Sequence, residues 1–328
     1  MIKRFFILML ALVPVALWAQ FAPAQDKPGT TAMHADSSAF VGWATGYFIE
    51  RGPMRIDRPE NGMASFGPDE SVVLGVPGGT MDVVSLGDGG KATLTFDSPI
   101  CNAPGPDFAV FENGFANAQN PDTWALELGF VEVSSDGVNF FRFPAVTYVQ
   151  TDTQLGNAGS INPSQLHNFA SKYGAFYGTP FDLDEVEDNE LLDKNRITHV
   201  RIVDVVGNID PQYASYDSEG HIVNDPWPTP FNSSGFDLDA VGVIHDVAHC
   251  NHVSENGTWV ATVYPNPVKN RLTVKAENIQ IVEIFNMMGQ KVLSSTEAEI
   301  NMEHLTEGLY VVRVAYQGGV SVKSIVKQ

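Results

Sequence analysis

Apolar and polar positions alternate with a period of two over many short stretches of this 328-residue chain, and Gly, Pro, Asn and Asp interrupt them throughout. That period puts alternate side chains on one face, so each stretch reads as a half-buried strand bounded by turns. Strands are predicted at residues 41–49, 71–75, 92–96, 108–112, 128–134, 139–143, 197–206 and 236–245. Between Phe130 and Phe140 an alternating run, the pair Asp136-Gly137 and an aromatic return run form a hairpin signature. One helical piece is expected over residues 162–173, where Asn162 caps and Pro163 fits the first turn. Two further alternating runs, residues 269–275 and 309–314, predict a second, smaller antiparallel sandwich at the C-terminal end.

Charge divides the chain at the same place. Residues 20–258 hold 10 Lys and Arg against 33 Asp and Glu, whereas the remainder, from Thr258 on, holds 7 against 6. The shift marks a domain boundary near Thr258, and the 240 residues before it suffice for one large all-β core. A surface this acidic repels phosphate backbones, which excludes nucleic acid and anionic lipid as partners. At the N-terminus Lys3 and Arg4 precede an apolar run to Trp18, and Ala19, Ala22 and Ala24 offer cleavage sites. This is the pattern of a signal peptide, residues 1–19, and the run is too short for a membrane span in the mature protein.

Four blocks in the last seventy residues are more specific: Tyr264-Pro265-Asn266-Pro267, then Asn286-Met287-Met288-Gly289-Gln290-Lys291-Val292, then Gly308-Leu309-Tyr310-Val311-Val312, then Val322-Lys323-Ser324-Ile325-Val326-Lys327. Their content and order resemble the C-terminal sorting domain of cargo exported by the type IX secretion system of Bacteroidota. The resemblance implies an immunoglobulin-like β-sandwich, engagement of the type IX machinery, and a secreted or outer-surface location for the rest of the chain.

Within residues 20–257, Ser134-Ser135-Asp136-Gly137-Val138-Asn139-Phe140 resembles the hairpin of discoidin-like, galactose-binding-like sandwiches. The run from Ile197 to Asp204 is similar to a core strand of that fold, and Gly235 to Val243 to its last strand. The block Asp107 to Phe115 and the block Asp225 to Phe231 are similar to segments of uncharacterised bacterial surface proteins. The expected architecture is therefore all-β: a jelly-roll (galactose-binding-like) β-sandwich over residues 20–257, followed by the sorting domain over residues 258–328.

Candidate chemistry rests on carboxylate oxygen and aromatic rings. Asp237 and Asp239 are two apart on a predicted strand and so share a face, while Glu112 and Asn113 end another strand that Asp107 begins. Calcium takes six to eight such oxygens, and a structural calcium site is expected from Asp239 and Glu112, with Asn113, Asp107 and Asp237 as further ligands. The bland reading of these acids is turn capping. No EF-hand loop occurs, and the string Phe181-Asp182-Leu183-Asp184 reads as a solvated turn or short helix.

Trp227, Trp124, Tyr213, Tyr216 and Phe231 lie in or beside predicted loops, and Trp43 near another. Such rings offer flat apolar faces to a sugar. Trp227, between Pro226 and Pro228, is the first choice, its alternative being a Trp that caps the core. Cys101 and Cys250 are the two cysteines and are expected to pair in an oxidising exterior. The rival reading of Cys250 is a zinc ligand beside His245, His249 and His252. The sequence thus reads as a secreted or surface-displayed, non-catalytic binding protein for a glycan or a surface protein, with calcium in support. The alternatives are an adhesive or structural surface protein and, third, a secreted glycoside hydrolase using Glu112 and Glu127.

Overall fold

The computed structural model describes residues 21–250, 261–276, 278–286, 290–316 and 319–328. The expected signal peptide and the expected boundary at Thr258 lie outside them. The chain separates into two compact units, one ending at Cys250 and the other beginning at Asn251.

Seven strands of five or more residues build the first unit: β1 (Gly46–Glu50), β2 (Lys91–Ile100), β3 (Phe108–Glu112), β4 (Gly129–Ser134), β5 (Tyr177–Phe181), β6 (Ile197–Asp204) and β7 (Asp237–Val243). They form two antiparallel six-stranded sheets. In one, β5, β3 and β7 lie side by side, edged by Met33–His34 on β5 and by Gly42–Trp43 and Val84–Ser85 on β7. In the other the order is Phe141–Arg142, β4, β6, β2, β1, with Phe169–Ala170 also on β4. Leu94, Val131, Val133, Val200 and Ile202 from the second sheet meet Phe108, Val110, Phe181, Leu238 and Val241 from the first in one core. This is a β-sandwich; six of its seven long strands fall where the alternation put them, and β5, which contains Gly178 and Pro180, was not predicted.

The Asp136-Gly137 hairpin forms as expected. Asp136 Oδ1 accepts from the N–H groups of Val138 and Asn139, each at 2.8 Å, and Gly137 has φ of 75°, which glycine adopts without strain. Two local expectations are corrected. Residues 71–75 are not a strand: Glu70–Val73 is a 3-10 turn whose cap, Asp69, accepts from Ser71 N–H. The helical piece over 162–173 shrinks to the 3-10 turn Pro163–Gln165, still capped by Asn162, after which Leu166–His167 and Phe169–Ala170 pair as strands. Burial of Leu166, Phe169 and Ala170 against neighbouring strands overrides the helical start signal.

In the second unit Arg271–Lys275 (β8) lies between Thr262–Tyr264 and Glu299–Asn301, and Ile279–Asn286 (β9), Lys291–Ser295 (β10), Gly308–Tyr316 (β11) and Gly319–Lys327 (β12) form a sheet in the order β10, β9, β11, β12. Leu272, Val274, Val312 and Val314, alternate positions of the predicted strands, fill its core together with Val282, Ile284 and Ile325. Among the described residues no helix is long and apolar enough to cross a membrane.

Candidate functional site

Strand β3 is buried along its whole length. Phe108 and Val110 enter the inter-sheet core, so period two sends Glu112 to the same side, at the core's end. There its carboxylate meets no cation. Glu112 is 2% exposed, and its Oε2 accepts from Gly114 N–H (2.7 Å) and Ser171 Oγ (2.6 Å), while Oε1 accepts nothing. Ser171 reaches it from a left-handed backbone, φ 59°. On the neighbouring strand Asp237 accepts from Ser85 Oγ through Oδ1 and from Asn113 Nδ2 through Oδ2 (2.9 Å).

Glu112, Asn113 and Asp237 line a cavity of about 220 Å³ together with Glu127, from the segment before β4, and the exposed rings of Phe115 and Phe231, 65% and 50% accessible. No Lys, Arg or His lines it. Burial holds the Glu112 carboxyl well above the usual carboxylate range, and the charges of Asp237 and Asp239 add to this. Burial does the same to Glu127, reinforced by Asp237, Glu112, Asp225 and Asp204. Burial pushes Asp237 up to about 6, against the hydrogen bonds from Ser85 and Asn113. Behind the wall Asp225 is 3% exposed, accepts from Leu128 N–H (3.1 Å) through Oδ2, and leaves Oδ1 buried without a donor.

The expected calcium ligands do not converge as a set. Asp107 stands at the other end of β3 from Glu112, five residues and roughly 16 Å along the strand. Its oxygens hold Ala103 N–H, Leu183 N–H and His245 Nδ1. Asp239 accepts from Gly78 N–H (2.9 Å) and Gly79 N–H (3.3 Å), fastening the loop that precedes Val84–Ser85. It does not share a face with Asp237 in the simple way expected, because a bulge opposite β3 between Leu238 and Ala240 breaks the alternation. Among the described residues no three His, Cys, Asp or Glu side chains stand where they could hold a metal ion.

The aromatic set also divides. Trp227 is 9% exposed, donates from Nε1 to Asp88 Oδ2 (2.9 Å) and lies under the Arg55 guanidinium, so it caps the core and presents no free face. Trp124 packs on the cluster of Leu126, Leu128 and Ile161, and its Nε1 is buried without an acceptor. Trp43 packs against Phe40 and Phe111. Tyr213 and the exposed Tyr216 lie on a separate loop outside the cavity. Phe231 alone of the expected rings reaches it, joined by Phe115, which ends the Asp107 to Phe115 block but was not singled out as a ligand face. Cys250 is bonded to Cys101, and His249 pairs with Asp246 (2.6 Å), so the zinc reading is overturned. His252 lies outside the described residues.

Residues 262–328 match the family of the secretion system C-terminal sorting domain. No curated protein matches the chain. Among solved structures the chain is similar to the BSP domain of a biofilm associated protein, at 10% identity over 73% of this chain and 48% of that one, with a TM-score of 0.18. It is similar also to Ruminococcus gnavus β-glucuronidase in complex with uronic isofagomine, at 11% identity over 94% of this chain and 45% of that one, with a TM-score of 0.21. The chain spans about half the length of these solved chains, and at such scores neither likeness bears on what it does. The second unit, by contrast, joins the four sequence blocks, a β-sandwich and the family match over residues 262–328: it is a C-terminal sorting domain, and the chain that carries it is a cargo of the type IX secretion system, exported to the cell surface or the extracellular space.

Proposed function

We propose that the first unit is a non-catalytic binding domain that takes a saccharide in the cavity of Glu112, Glu127 and Asp237. The observation that carries this reading is the pairing of acceptor oxygens lacking donors with two exposed phenyl rings on one concave surface. Sugar hydroxyls supply donors, and the C–H faces of a pyranose pack on rings. At about 30 Å³ per water the cavity displaces roughly seven waters, the scale of one sugar ring.

A glycan array probed with the full secreted chain, in calcium and in chelator, tests the reading. Selective binding that Phe231→Ala weakens about tenfold is expected; a silent array with verified folded protein would defeat it. Loss of binding in chelator would add calcium to the site. One observation favours a second reading: Glu112 and Glu127, the carboxylates expected of a hydrolase, line the same cavity. New reducing ends released from a bound glycan, and abolished by Glu112→Gln, would establish that reading instead.

A further inference from the structure

We infer that the ligand of this cavity carries a primary ammonium group, as an amino sugar with a free amine does, and that Glu112, Glu127 and Asp237 receive it beneath the rings of Phe115 and Phe231. The inference rests on the saccharide reading and narrows it. Three carboxyl groups line one cavity with no basic side chain among its lining residues, so they lack the positive charge that desolvated acids ordinarily find. Glu112 is 2% exposed and lines the cavity, its Oε1 has no hydrogen-bond donor among the described residues, and the partly exposed Glu127 has no hydrogen-bond or ion-pair partner among them. An ammonium offers three donors and a charge to that arrangement.

The two rings decide between an organic cation and a metal. A bare divalent ion needs a shell of oxygens at short range, and among the described residues no three acids stand at that spacing. Phenyl faces add nothing to such a shell. They do attract an ammonium and its neighbouring C–H groups electrostatically, as aromatic cages do. The long-range field agrees: the 33 acids of residues 20–258 attract a cationic ligand and repel an anionic one.

Proton bookkeeping gives the test a second readout. Burial, and then the charges of Asp237, Glu112, Asp225 and Asp204, hold the Glu127 carboxyl up, so in the absence of a cation the protonated form is favoured. An arriving ammonium favours the ionised forms, so binding is expected to release protons into the buffer.

The experiment is calorimetry of the full secreted chain at pH 6.5 with three oligosaccharides of equal length: β-linked glucosamine, N-acetylglucosamine and glucose. Each is run in two buffers of different ionisation enthalpy. Expected are at least tenfold tighter binding of the amine form, proton release with that form only, and collapse of the preference in Glu127→Gln. Phe231→Ala, a change at an exposed ring, is expected to weaken the amine form without altering the fold. Equal binding of all three sugars would overturn the ammonium while leaving the saccharide reading standing. Failure of all three together with a silent array would remove both. Calcium displacing the amine one for one would assign the site to a metal, and equally tight binding of Nα-acetyl-lysine amide would assign it to a protein lysine; either overturns the inference.

Discussion

Asp107, Asp237 and Asp239 are buried carboxyl groups that burial pushes up to about 6. A folded-state value above the unfolded one means that the native protein binds more protons, so their contribution is complete below about pH 4 and is lost as pH rises through 6. At 1.36 kcal/mol per unit the loss approaches roughly 3 kcal/mol per group as an upper bound. Carboxylates held low by partners, such as Glu185 beside His167 and Asp57 beside Arg55, lose stability only below the usual carboxylate range and leave the window from pH 5 to 7.5 unaffected. His199, lowered by burial, opposes the trend there, but as one group against these three and against Glu112, Glu127, Asp204 and Asp225, which burial holds higher still. Urea unfolding is therefore expected to give a higher stability at pH 5 than at pH 7.5, and Asp239→Asn to reduce the difference by that one group's share. Stability that climbs with pH across this window would contradict the assignment.

Three adjacent strands share one charged residue. Glu132 on β4 stands opposite Arg142 in the hairpin return strand and opposite Arg201 on β6. Its Oε1 takes Arg142 Nη2 at 2.8 Å and its Oε2 takes Arg201 Nε at 2.7 Å. The guanidinium groups also cover rings, Arg142 over Phe130 and Arg201 over Phe140. Directly opposed charges fix register, because a slip by one residue separates all three and turns core side chains outward. Since both arginines remain partly exposed, Glu132→Gln is expected to cost about 1–3 kcal/mol in chemical denaturation, less than a fully buried pair. A cost below a few tenths would mean that the cluster does not hold the sheet. These elements were legible in sequence because period two and an Asp-Gly turn are local signals. The 3-10 turn Glu70–Val73 was not, since an Asp cap and a short apolar run also fit a strand's beginning. The site was half legible: Glu112, Asn113, Asp237 and Phe231 were candidates and Glu127 was one only as a hydrolase carboxylate, whereas Phe115 was not, since no periodicity links it to Phe231. Asp107 and Asp239 carried the same residue type and were claimed by backbone amides, a contest decided only by the fold.

At the scale of the molecule, the charge boundary and the sorting blocks were readable from composition and motif, whereas the cavity arises from segments more than 120 residues apart. The disulfide acts at that same range. Cys101, fully buried just after β2, is bonded to Cys250 with their Cα atoms 6.6 Å apart and a separation of 149 positions in sequence. Next to it Cys101 N–H donates to His245 O and Ile100 pairs with Asp246, so the bridge fastens the chain leaving β7 to the end of β2. Closing so long a loop in the unfolded chain is worth about 5 kcal/mol on the chain-entropy account. For a unit of this size each kcal/mol moves the midpoint by roughly 2–4 °C. Both cysteines belong to the first unit, which ends at Cys250. Replacing both by Ser is therefore expected to lower that unit's calorimetric transition by about 10–20 °C and to leave the sorting domain's transition where it was. A drop confined to the sorting domain, or a first-unit shift of less than about 2 °C, would show that the bridge contributes little to the sandwich it closes.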